Sequence, residues 1–149
     1  MVQASASLMT PAHQQLARWL VRREREIGAR KHPDAEIDLA ELVVGKLAPQ
    51  VTVLVTEAGY RALLSRALRL AQADFPLLDG VQVGTVGAYI DGSRVVGAGV
   101  SEESVVAFIG TLIGLLATFI GADLTDNLIR DAWPEARLQR TASDSGGTR

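Results

Sequence analysis

His13 and His32 are the residues best suited to hold a metal or move a proton near neutral pH. A charged segment separates them, and they lack the His-x₃-His type of spacing that sets two ligands on one helical turn. The chain has no cysteine, so thiolate metal sites, disulfides and thiol nucleophiles are excluded. No serine or threonine stands in a nucleophile elbow. Asp123, Asp126 and Asp131 suit helix capping and a solvated helix face better than paired acid–base work. Gly97-x-Gly99 precedes a helix start as a dinucleotide loop does, where backbone amides receive a phosphate. A third glycine is missing, though, and Glu102 and Glu103 follow at once and would repel phosphate.

Arg18, Arg22, Arg23, Arg25, Arg30 and Lys31 form a local basic cluster, the type of side chain that binds a nucleic-acid backbone. Glu24 and Glu26 interrupt it and offer ion pairs along the same helix, so a solvated face is expected. Arg140-Thr141-Ala142-Ser143 in the C-terminal tail has the composition of a kinase substrate. Taken together, these residues predict no enzyme, no cofactor and no metal.

The whole-chain numbers agree with that reading. A formal charge of −2 and a pI near 5.7 produce no field that would gather nucleic acid or an acidic membrane. At 149 residues the chain fits one domain. With 48% apolar residues but only 5% aromatics, its core must be aliphatic. The start, MVQASASLMTP, lacks the basic flank and apolar run of a secretory signal, so a cytoplasmic location is expected.

Helical periodicity dominates the chain. Thr10-Pro11 is a cap followed by proline at the first helical position, and Ala12, Leu16, Trp19, Leu20 and Ile27 follow helical spacing as far as Gly28. Asp38 with Glu41 makes a capping box, and Ile37 with Leu42 the matching staple, for a helix running to about Ala48 before Pro49. Val51 to Val55 fits either a short strand or a helical turn. Thr56 caps a third helix, with Tyr60, Leu63, Leu64, Ala67, Leu68 and Ala71 on one face and Arg61, Ser65, Arg69 and Gln72 on the other. Between Asp79 and Val100 glycines recur among valines, and Asp91-Gly92 between Tyr89-Ile90 and Ser93–Val96 predicts a small hairpin or an ordered loop. Ser101 caps a long apolar helix that Gly121 breaks or bends, and Asp123 to Trp133 forms the last helix before Pro134.

The long helix carries most of the information. Ala107, Gly110, Gly114, Ala117 and Gly121 fall on one stripe, bordered by Ser104, Thr111, Thr118 and Thr125, whose hydroxyls suit bonds to a closely packed backbone. The rest of its surface is apolar all round, so the helix must be surrounded. Glycine inside a helix costs about 1 kcal/mol relative to alanine, so Gly110 and Gly114 require a compensating close contact. The surround is the chain's own helices, a second copy, or lipid. Val105 to Ala122 reaches the lower edge of a membrane span, but Glu102, Glu103 and Asp123 flank it and no basic or aromatic belt brackets it, which disfavours lipid.

The stretch from Thr118 to Pro134 has the form TFIG-x-x-LT-x-x-LI-x-x-x-WP and resembles a C-terminal segment recurring in small uncharacterised bacterial helical proteins. GYRALLSRALRLA, from Gly59 to Ala71, is a weaker likeness to the same group. The resemblance implies no activity and transfers no functional residue.

These readings predict a mainly α protein. Residues 1–9 form a flexible N-terminus, 10–134 a single bundle of about five helices with a short Gly-rich β-hairpin or loop before the last two, and 135–149 a disordered tail. The expected role is a protein–protein interaction or regulatory module. It associates with itself or a protein partner through Ala107, Gly110, Thr111, Gly114, Ala117, Thr118 and Gly121. A membrane-associated helical protein and a nucleic-acid-binding regulator using the Arg-rich first helix are the competing classes.

Overall fold

A computed structural model of the chain describes residues 11–28, 36–84, 89–91 and 101–134. Mainly helical, it comprises four helical runs among those residues: α1 (Pro11–Gly28), α2 (Glu36–Asp74), α3 (Glu102–Ile120) and α4 (Ala122–Ala132). Two-residue strands β1 (Gln82–Val83) and β2 (Ile90–Asp91) pair antiparallel, Val83 opposite Ile90. The expectations for residues 1–9, for His32, for Gly92–Val100 and for the tail lie outside the described residues.

The second helix departs from expectation. Asp38 does not stand at the cap position, because the helix already begins at Glu36; Leu42 is 42% exposed, and its expected staple partner Ile37 has a side chain outside the described residues. Pro49 does not end the run, and Val51 to Val55 are helical. A proline inside a helix forfeits one backbone hydrogen bond. Burial of Val44, Leu47, Ala48 and Val51 in the common core favours continuation all the same. The break falls at Thr56, whose backbone turns to φ 67°, ψ 166°.

That break is a reversal. The Tyr60 hydroxyl donates to the Val44 carbonyl at 2.8 Å, across 16 positions. In a straight helix those positions lie about 24 Å apart, beyond a tyrosine's reach. α2 is therefore a helical hairpin with Thr56 at its tip, and Thr56 still caps the second arm, its Oγ accepting from the Gly59 amide at 3.1 Å.

The connector after α2 is tied back by side chains assigned from sequence to a polar face. Gln72 donates to the Leu78 carbonyl at 2.9 Å, and Arg61 to the Gly84 carbonyl at 2.5 Å. The Arg61 guanidinium also lies 4.3 Å from the Tyr89 ring centre. Asp91 belongs to a strand that pairs antiparallel with Gln82–Val83, and the arm expected after Asp91-Gly92 lies outside the described residues. Turn chemistry alone does not reveal which neighbour a two-residue strand will find.

α3 is the central element, packed against α1, α2 and α4. Ser101 caps it through a reciprocal box, its Oγ accepting from the Ser104 amide at 3.2 Å while the Ser104 Oγ accepts from the Ser101 amide at 3.1 Å. Every residue from Ser104 to Leu116 is buried. Gly121, at φ 98°, ends α3 and starts α4 at once. Asp123 is exposed and provides no cap; α4 has no side-chain cap.

Candidate functional site

The predicted interaction stripe divides in two. Ala107, Gly110, Thr111 and Gly114 are buried inside the chain's own fold. Ala117 is half-buried, and Thr118 and Gly121 are exposed. The threonine hydroxyls do not reach across to a neighbouring helix. Thr111 donates to the Ala107 carbonyl at 2.7 Å, Thr118 to Gly114 at 2.9 Å and Thr125 to Gly121 at 2.8 Å. These i−4 bonds satisfy the hydroxyls within their own helical turns, the local alternative open to any threonine in a helix.

Apolar side chains outside the core concentrate where that stripe surfaces and along α2. Phe119 is 66% exposed and Leu124 46%. They flank Gly121, at the end where α3 and α4 join. On α2, Leu42, Gly45, Pro49 and Val53 follow one another at helical spacing on the solvent side, with Leu54 beside them. Val53, near the hairpin tip, is 81% exposed.

The opposite end of α3 is electrostatic. Arg18 forks onto Glu103 at 2.5 and 3.1 Å, and Glu102 accepts from Arg22 at 3.0 Å and Arg25 at 3.3 Å. The hydrogen bond from Arg22 holds the Glu102 carboxyl below its ordinary range, with Arg25 and Arg18 adding to the effect. Arg18 does the same for Glu103, and Glu103 in turn raises Arg18. The basic cluster of α1 is thus met chiefly by carboxylates on another helix. Within α1, the Arg23–Glu26 pair is at 4.0 Å.

Glu24, expected on the solvated face, is a core residue only 2% exposed. The buried face of α1 runs Ala17, Leu20, Val21, Glu24, whereas Ala12 is exposed and Leu16 and Trp19 are half-buried. The Glu24 carboxylate accepts from Lys46 Nζ at 2.6 Å and from Trp133 Nε1 at 2.8 Å. Lys46 also sits 5.8 Å from the Trp133 ring centre. One carboxylate therefore joins α1, α2 and the end of α4, and no local pattern announces it. The single clue in sequence is a Glu at i+3 and i+4 from Val21 and Leu20 on an apolar face.

Candidate chemistry stays dispersed. His13 is half-buried in the first turn of α1, and Asp123 and Asp131 are exposed. Among the described residues no group of three potential metal ligands comes together. Burial pushes the Tyr60 phenol far above its ordinary range, with Tyr89 adding to the shift, so this hydroxyl stays protonated as the donor to Val44.

Among the described residues two helical runs are long and apolar enough to cross a membrane by length and composition, though the first reverses at Thr56. An apolar stretch of 18 residues within Leu39–Asp74 is 39% buried within the chain, and one within Glu102–Ile120 is 72% buried. Comparison with protein-family models, curated proteins and solved structures finds no match.

Proposed function

We propose that the chain is a non-enzymatic protein–protein interaction module that pairs with a second copy through the closed end of α3 and α4. The observation that carries this is Phe119, 66% exposed at the end of a helix otherwise buried from Ser104 to Leu116. A large apolar side chain left in water beside Leu124 marks a surface made to be covered. Ala117, Thr118 and Gly121, where the small-residue stripe reaches the surface, lie within two residues of Phe119 at the same end of α3, and a single patch used by both copies suits a two-fold pairing. The interaction stripe then works in two parts, Ala107 to Gly114 packing inside the chain and Ala117 to Gly121 meeting the partner.

Thr56 divides α2 into two arms, so the proposed bundle has five helical arms, with the glycine-rich stretch before α3 as its hairpin or loop. Burial of Ser104 to Leu116 favours a protein surround over lipid, and hence a cytoplasmic module over a membrane-spanning one. Pairing of Arg18, Arg22 and Arg25 with Glu102 and Glu103 leaves fewer cations for phosphates, which weakens a nucleic-acid role for α1. The likeness of Thr118–Pro134 to a recurrent bacterial segment covers this same closed end.

Sedimentation of the full chain over a concentration series, without detergent, tests the reading. A reversible dimer is expected, and Phe119→Ser combined with Leu124→Ser should return the monomer with unchanged helical circular dichroism. A wild-type monomer at every concentration overturns it.

A further inference from the structure

α4 is short, has no side-chain cap, and buries Thr125, Leu128 and Ile129, with Ala132 packed against the core just before Trp133. A helix of 11 residues is marginal on its own, so tertiary anchors decide whether it stays docked. Its two ends are held very differently. At Gly121 the backbone is exposed, at φ 98°, with nothing within 4 Å of where a Cβ would stand. At Trp133 the indole is buried and bonded to the Glu24 carboxylate, with Lys46 against both.

We propose that α4 is a hinged flap, turning on Gly121 and latched at its far end by Trp133 seated between Glu24 and Lys46. Opening withdraws Leu128, Ile129 and Trp133 from the core together and uncovers the apolar surface beneath them, while α1, α2 and α3 stay assembled. Within the latch Glu24 and Trp133 are buried while Lys46 reaches solvent, so once the indole leaves, the Glu24 carboxylate admits water and recovers its hydration. The latch at Trp133 lies at the other end of α4 from the proposed pairing patch, which shares with the flap only the hinge Gly121 and Leu124.

Hydrogen exchange of the full-length chain, followed by mass spectrometry, tests this. Amides of 125–133 should share one exchange rate, faster than those of 105–116, as a cooperative local opening requires. Glu24→Gln and Trp133→Phe should each speed exchange in 125–133 by about tenfold, the loss of one charge-assisted hydrogen bond, with 105–116 staying slower than 125–133 in both variants. Rates graded toward the C-terminus would mean fraying and would overturn the proposal. A common rate for 105–116 and 125–133 would overturn it too, since α4 would then open only with the whole fold. If a variant fails to fold, the wild-type rates alone decide. At a dilution where the chain is monomeric, Phe119→Ser should leave the rates of 125–133 unaltered, which separates failure of the flap from failure of the pairing surface.

Discussion

Trp133 Nε1 donates to the Glu24 carboxylate at 2.8 Å, joining residues 109 positions apart. That carboxylate is 2% exposed, and its other partner is Lys46, whose side chain is 40% exposed. Removing a partner leaves a buried charge under-satisfied, which costs about 3–5 kcal/mol in a fully buried pair. The exposure of Lys46 lowers this, so Lys46→Met should cost about 2 kcal/mol in urea unfolding. An unchanged urea midpoint would show that the indole alone satisfies Glu24.

The pairs joining Arg18, Arg22 and Arg25 to Glu102 and Glu103 predict a specific acid response. Both carboxyls lie below their ordinary range in the folded chain. Their stabilising contribution is therefore fully present above the unfolded pKa, about 4.3, and is lost as pH falls through the lower folded values. The wild-type melting temperature should drop between about pH 5 and pH 3 by more than that of a Glu102→Gln, Glu103→Gln variant. Glu103 is 55% exposed, so the difference should be a fraction of about 1 kcal/mol and should shrink further in high salt. Identical acid profiles would show that the pairs contribute nothing.

Thr56 and Gly121 make opposite predictions. Thr56 holds φ 67°, a conformation costly to a β-branched residue, whereas Gly121 holds φ 98° without penalty. Thr56→Gly relieves the strain and gives up only a cap contact, so a net gain of up to about 1 kcal/mol is expected. Gly121→Ala should cost about 1–2 kcal/mol through backbone strain alone, since its Cβ would meet nothing within 4 Å. Thermal melts of the two variants that shift in the same direction would contradict this.

Gly114→Leu should disrupt the protein more than Leu115→Ala. Leu115 is 6% exposed, and truncating it should cost about 2–5 kcal/mol. Gly114 is buried within one chain, where a leucine has no pocket and must force its neighbours apart. The fall in melting temperature should therefore appear at every protein concentration. A Gly114→Leu variant that melts like wild type would show that the glycine is not closely packed.

The sequence by itself determined the helical class, the span Pro11–Gly28, the Ser101 cap, the break at Gly121 and the need for the apolar helix to be surrounded. These follow from periodicity and capping chemistry, which act over a few residues and are written locally. Tertiary structure decided the rest. Pro49 stays inside a helix because neighbouring residues bury in the core, Thr56 turns that run into a hairpin fixed by Tyr60 on Val44, and Arg61 and Gln72 anchor a connector instead of facing solvent. The division of the small-residue stripe into buried Gly110 and Gly114 and exposed Thr118 and Gly121 depends on where the other helices end. The partners of Glu24 lie 22 and 109 positions away. Spacing along one helix cannot encode such pairings, because side chains distant in the chain meet only after the helices have packed.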